Sequence, residues 1–194
     1  MTNTRFIGRP QTSSDSLTPV VGYKMLGLLR HSQTGTLSVL PVHRNSQSFQ
    51  FSDVSVCERK RHEFDRCSCG FYAYKTIDEA RHHLTASTGQ PLPYRSSVFV
   101  AEVALSGRTV IAEHGYRAEH QRVTGLEAGP CFRCGHAGTC FNVLKSPKYS
   151  FMSIMMFDQL QASCSECVQD EVTAGELELQ ASYEGYKPVS VSFR

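Results

Sequence analysis

Three cysteines and a histidine crowd into thirteen residues at Cys57, His62, Cys67 and Cys69, within the stretch CERKRHEFDRCSCGFYAY. A second cluster, CFRCGHAGTC, begins at Cys131 and is answered by CSEC at Cys164. Two thiolates separated by two residues can face one metal ion across a tight turn, and a structural zinc asks for four such ligands in a tetrahedron. Cys131 with Cys134 and Cys164 with Cys167 supply two turns of that kind. The 29 residues between Cys134 and Cys164 are enough for a hairpin, the arrangement of a zinc ribbon, and Gly135 suits a knuckle turn that needs positive φ. The alternative for these four residues is a set of buried thiols, since free cysteine often behaves as a small core hydrophobe.

The first cluster has the less usual form Cys57-x4-His62-x4-Cys67-x-Cys69, in which Gly70 would let the Cys-x-Cys pair bend around an ion. We read it as a second zinc site. Its competing reading puts His62 on a solvated face with its charged neighbours. The cysteines then lead into a strand with Phe71 and Ala73 on one side and Tyr72 and Tyr74 on the other. His136 and Cys140, left over beside the second cluster, read as a surface imidazole and a buried thiol. Both sites are closed by protein ligands, whereas a catalytic zinc keeps one position open for water, so two structural ions are expected.

The segment EHGYRAEHQR, Glu113 to Arg122, is the other concentration of chemistry-bearing side chains. Tyr116, Arg117 and Glu119 read as a binding surface, with Arg117 offering a planar fork to phosphate or carboxylate. The sharper alternative is an enzyme whose pocket gathers Glu113, His114, Arg117 and Glu119 for acid and base catalysis. The basic run Arg59, Lys60 and Arg61, with aromatic residues following at Phe71, Tyr72 and Tyr74, suits a phosphate backbone and stacked bases. The partner expected is therefore nucleic acid or another protein, in a binding or regulatory role. No nucleophile elbow, phosphate loop, dinucleotide fingerprint or His-Glu-x-x-His motif is present. Pro130-Cys131-x2-Cys134 only mimics part of the zinc deaminase signature, because His114 lacks a glutamate two residues on.

As for the elements that must hold these sites, 194 residues suffice for one domain and a small appended module. With 40% hydrophobic and 20% charged residues and a net charge of +2, the composition is globular and carries no strong electrostatic bias. No apolar window is long enough for a membrane helix, and the N-terminus lacks the apolar centre of a secretory signal. A cytoplasmic location is expected, where cysteines favour metal over disulfides.

The chain divides by pattern into a flexible tail at 1–19, a β-rich domain at 20–128 and a zinc-ribbon-like module at 129–194. VVGYKMLGLL, TGTLSVLPV and SFQFSDVSV read as strands. Thr76-Ile-Asp-Glu79 has the form of a capping box and opens the one clear helix, bounded by Gly89 and Pro91. Val98 to Leu105 and Thr109 to His114 read as a hairpin turning at Ser106-Gly107. KYSFMSIMMFDQL leans to strand, and the alternating GELELQASY and PVSVSFR read as a last strand pair. The fold class is α+β, mainly antiparallel β with one clear helix and a zinc-ribbon-like C-terminal module.

The motifs Cys-x-Cys-Gly-Phe-Tyr-Ala-Tyr at Cys67 to Tyr74 and His-Gly-Tyr-Arg-Ala-Glu at His114 to Glu119 together resemble uncharacterised small proteins of actinobacteria and actinobacteriophages. The resemblance covers roughly residues 20 to 126. It implies that Cys57, His62, Cys67 and Cys69 belong together, and that Gly115, Tyr116, Arg117 and Glu119 form a shared feature. It implies no activity. This chain departs from the group in having no tryptophan and in carrying the second cysteine module.

Overall fold

A computed structural model describes residues 10–41, 51–55, 69–87, 98–145, 157–182 and 189–193. The described residues form mainly an antiparallel β-sheet with two short helices. The strands are β1 (Pro10–His31), β2 (Leu37–Pro41), β3 (Ser52–Val54), β4 (Phe71–Tyr74), β5 (Val98–Ala112) and β6 (Gly115–Ala128). They continue with β7 (Cys140–Leu144), β8 (Phe157–Ser163), β9 (Glu171–Val172) and β10 (Ser190–Phe193). Helix α1 (Ile77–Ser87) follows β4, and helix α2 (Ala174–Ser182) follows β9.

The 22-residue β1 is the axis of the sheet. Its apolar run buries both faces, with Met25 and Leu29 on one side and Leu26 and Leu28 on the other. A strand so placed reads as a continuous apolar segment rather than an alternating one. Along one edge β1 pairs with β5 and then with β8; along the other it meets β4 at Tyr23 and β2 from Leu26 to Arg30. Since β5 pairs with β6 and β6 with β4, the strands β1, β5, β6 and β4 close a ring whose last link is the pair Tyr23 and Tyr74. That link is close because Gly22 has no side chain: a Cβ there would stand 2.8 Å from the Ala73 Cβ.

Several sequence expectations change here. Residues 10–19, expected in the tail, belong to β1 and pair with β5 from Pro10 opposite Ala112 to Ser16 opposite Gly107. They have little apolar content; their order comes from a long neighbouring strand that satisfies their backbone groups. The hairpin expected at Ser106-Gly107 is a single strand, β5, and the reversal falls instead at Glu113-His114. Gly107 takes φ of 74° inside a register shift between Ser106 and Thr109, so the glycine serves a bulge. The Glu119 carboxylate accepts the Arg108 N–H at 2.9 Å at that irregularity.

GELELQAS lies in helix α2 rather than in a strand, and Tyr183 lies outside the described residues. The Thr173 hydroxyl accepts the Glu176 N–H at 3.1 Å while the Glu176 carboxylate accepts the Thr173 N–H at 2.7 Å, a second capping box. The first box forms as expected, with Thr76 N–H donating to Glu79 at 3.1 Å and Glu79 N–H to the Thr76 hydroxyl at 3.2 Å. Arg81 then pins α1 to β6 through a two-pronged ion pair with Glu127, at 3.0 and 2.6 Å. Gly89 and Pro91 lie outside the described residues.

Sheet and core both cross the boundary drawn at 128/129. β8 pairs with β1, β10 runs parallel to β6, and Leu26, Leu28 and Phe99 share one cluster with Phe141 and Leu160. The Phe99 and Phe141 rings meet edge to face at 5.4 Å.

Two charged side chains are buried among the described residues, Lys24 and Arg117. Lys24 is 9% exposed, and its Nζ donates to the Gln121 amide oxygen at 2.6 Å. Burial lowers its titration from an ordinary 10.5 to about 7. Between those values the unfolded chain holds a proton that the folded chain does not, so unfolding free energy from this group rises with pH. The stability difference between wild type and Lys24→Met is therefore expected to shift toward wild type as pH rises from about 7 to about 10. Urea unfolding across that window checks it, and an unchanged difference would contradict it.

Candidate metal centre

The hairpin of β7 and β8 positions the four cysteines. Cys140 stands opposite Ser163 at one end of the pair, so the chain just before β7 and just after β8 emerges side by side. Cys131 and Cys134 lie on the entering loop, Cys164 and Cys167 on the leaving one. Two backbone bonds carry the loops to the hairpin end: Phe132 N–H donates to the Ala162 carbonyl at 3.0 Å and Thr139 N–H to the Ser163 carbonyl at 2.8 Å.

Each Cys-x2-Cys turn is built locally. Gly135 N–H donates to the Cys131 carbonyl at 3.0 Å, with Gly135 at φ of 76°, and Cys131 N–H donates to the His136 carbonyl at 2.8 Å. In the second turn the N–H groups of Cys167 and Val168 both donate to the Cys164 carbonyl, at 3.1 and 3.2 Å. The four Sγ atoms lie within 4.8 Å of one another, Cys134 and Cys164 at 3.6 Å. Four sulfurs around a zinc at about 2.3 Å stand about 3.8 Å apart, so the set fits one tetrahedral ion.

Electrostatics favour the same occupant. Burial pushes the Cys131 thiol up, but the N–H groups of Cys134, Arg133 and Cys164 point at its sulfur and bring it down to about 6. The opposite holds for Cys167, whose hydrogen bonds with the sulfurs of Cys164 and Cys134 push it to about 12. One thiolate forms readily among these neighbours and the last does not, because like charges so close oppose full ionisation. A divalent cation removes that opposition. Cys131 and Cys164 are buried, Cys167 is half-buried and Cys134 reaches the surface.

The remaining sequence candidates fall as follows. Cys57, His62 and Cys67 lie outside the described residues, as do Arg59, Lys60 and Arg61. Cys69 is half-buried and its carbonyl accepts Arg117 Nη1 at 2.9 Å. Among the described residues, no second group of three or more metal-ligand side chains converges. Cys140 is buried, with Sγ 3.5 Å from the Ser163 carbonyl, and His136 is exposed. β4 alternates as its sequence indicates: Phe71 and Ala73 face the larger core cluster, and Tyr74 joins a smaller one with Ala80 and Val100.

Within Glu113 to Arg122, Arg117 is 4% exposed and Tyr116 packs against the core. Glu119 forms an ion pair with Arg108 at 2.6 Å, and the hydrogen bond from Arg108 holds its carboxyl below the usual range. His114 lies between two carboxylates, Nδ1 at 3.5 Å from Glu79 and Nε2 at 3.6 Å from Glu113. The buried pair of Lys24 and Gln121 was not singled out from sequence; its signal is the lone lysine inside VVGYKMLGLL.

Fold and site together define a mainly antiparallel β protein with a four-cysteine cluster, toward its C-terminal end, that can hold one metal ion. Comparison with protein-family models, curated proteins and solved structures gives no match to this chain. No described helix is long and apolar enough to cross a membrane.

The centre predicts that Cys131→Ser and Cys167→Ser each lose one equivalent of metal per chain relative to wild type and unfold at lower temperature. Elemental analysis beside thermal unfolding checks this, and metal content unchanged in both variants would refute the ligand set.

Proposed function

We propose that this is a zinc-stabilised binding protein of phage or actinobacterial origin, in which a ribbon-like pair of knuckles is held for contact with nucleic acid in a regulatory role. The observation that carries the reading is the ligand set: four converging cysteines can supply all four ligands to one ion, which suits a structural centre. The knuckles expose Arg133 and His136 on one turn and Ser165 and Glu166 on the other, and the Arg133 guanidinium lies 5.3 Å from the Phe132 ring centre. A cation carried beside an aromatic face suits a phosphate with a neighbouring base. The basic run at Arg59, Lys60 and Arg61 adds charge of the same sign. The origin rests on the resemblance of residues 20 to 126 alone.

Cys57, His62, Cys67 and Cys69 are proposed as a second zinc site, and the half-buried Tyr116 and Glu119 as part of the contact surface; Arg117, expected there from sequence, is buried and serves the scaffold instead. The enzyme reading draws on His114, which has a carboxylate on either side. It is the weaker one, since Glu119 is already engaged by Arg108 and Arg117 by the Cys69 carbonyl.

Binding to a DNA or RNA oligonucleotide is expected to weaken linearly in log K against log salt, with a slope of about −0.9 per phosphate contacted on a duplex. Arg133→Ala is expected to weaken binding and make that slope shallower by about one contact. Fluorescence anisotropy titrations at several salt concentrations measure both. Absence of binding at low salt would end the nucleic-acid reading and leave a protein partner. A second metal equivalent lost specifically in Cys69→Ser would support the first cluster as a site, and a wild type with a single equivalent would exclude it.

A further inference from the structure

The C-terminal strand β10 docks on the core beside the loop that carries the first knuckle. Four residues, Ser190 to Phe193, lie parallel to β6 from Gly125 to Ala128, and Ala128 stands three residues ahead of Cys131. Parallel pairing is slightly weaker per residue than antiparallel, and a four-residue strand needs side-chain support. Part of that support comes from β6, where the Leu126 carbonyl accepts the Ser192 hydroxyl at 3.4 Å. The rest centres on Phe193, whose ring stands 5.3 Å from that of Phe141 in β7.

The other wall of the Phe193 seat is the knuckle loop. Gly138 is buried there, and a Cβ on it would come within 2.9 Å of the Phe193 ring and 3.0 Å of the Gly129 carbonyl oxygen. That close approach holds only while residues 131–139 keep their path. Toward the centre the path is fixed by Cys131 and Cys134 and by the bonds linking Cys131, Gly135 and His136; toward the sheet it is fixed by the Thr139 bond to Ser163.

We infer that metal occupancy of the four-cysteine centre latches the C-terminal strand β10 onto β6. Without the ion, no metal-sulfur bond ties the turn at Cys131 and Cys134 to the turn at Cys164 and Cys167, the loop at 131–139 relaxes and the seat of Phe193 loses a wall. β10 then opens locally while the ring of β1, β5, β6 and β4 stays closed, because none of those pairings passes through the knuckles. Opening bares the β6 edge from Gly125 to Ala128, where another strand can pair.

The inference rests on the metal reading of the centre, and the test separates the two. Amide hydrogen exchange by mass spectrometry is measured for residues 189–193 in the zinc-loaded protein, after chelation, and in Gly138→Ala, with metal content determined for each sample. Chelation is expected to speed exchange in β10 by about tenfold or more while Ala101 to Leu105 stay protected. Gly138→Ala, in which the added methyl meets the Phe193 ring, is expected to give the same local rise with its metal still bound. Purified protein that cannot be loaded with metal would sink the reading of the centre. Bound metal with β10 exchange unmoved by chelation or by Gly138→Ala would sink the latch alone. Simultaneous loss of protection in β5 and β10 on chelation would also overturn it, since the ion would then hold the whole fold.

Discussion

A strand of 22 residues has backbone donors and acceptors on two edges, and inside a protein nearly all of them must find partners. From Tyr23 to His31 β1 meets that demand with β5 and then β8 on one edge, and with β4 and then β2 on the other. The consequence reaches most of the fold. Pairing with β5 and β4 closes the ring, and pairing with β8 brings the cysteine hairpin against the same core. Leu26 and Leu28 therefore pack in one cluster with Phe141 and Leu160, although more than a hundred residues separate them.

The cysteine cluster is a second constraint of a different kind. Sulfurs gathered at 3.6 to 4.8 Å gain little by packing together and repel once ionised. Backbone N–H groups aimed at Cys131 ease one charge; the full set asks for a cation. The hairpin register, with Cys140 opposite Ser163, delivers both knuckles to one end and so makes the convergence a result of strand pairing.

The dense polar segment at Glu113 to Arg122 shows how the same residue types can serve the scaffold. Arg117 ties β6 to Cys69, two residues ahead of β4, Glu119 fills the irregularity around Gly107 and Gln121 accepts a hydrogen bond from the buried Lys24 amino group. A buried cation is costly unless hydrogen-bonded, so these contacts fix side-chain positions as well as adding stability.

The sequence by itself determined what depends on near neighbours. Thr76 and Glu79 are three residues apart and cap α1 without outside help, β4 alternates as its four residues dictate, and each Cys-x2-Cys pair forms its own turn. Thr173 and Glu176 carry the same local signal for α2, but the Glu-Leu-Glu-Leu alternation beside them mimics a strand. Tertiary structure decided the rest. Ser106-Gly107 is compatible with a turn or a bulge, and only the pairing of β5 with both β1 and β6 chose the bulge. Residues 10–19 have little apolar content, so their order as strand came from a neighbour distant in sequence. Whether two cysteine pairs 29 residues apart share one ion likewise depended on the register of β7 with β8, because backbone hydrogen bonds between distant strands leave no periodic mark in either strand alone.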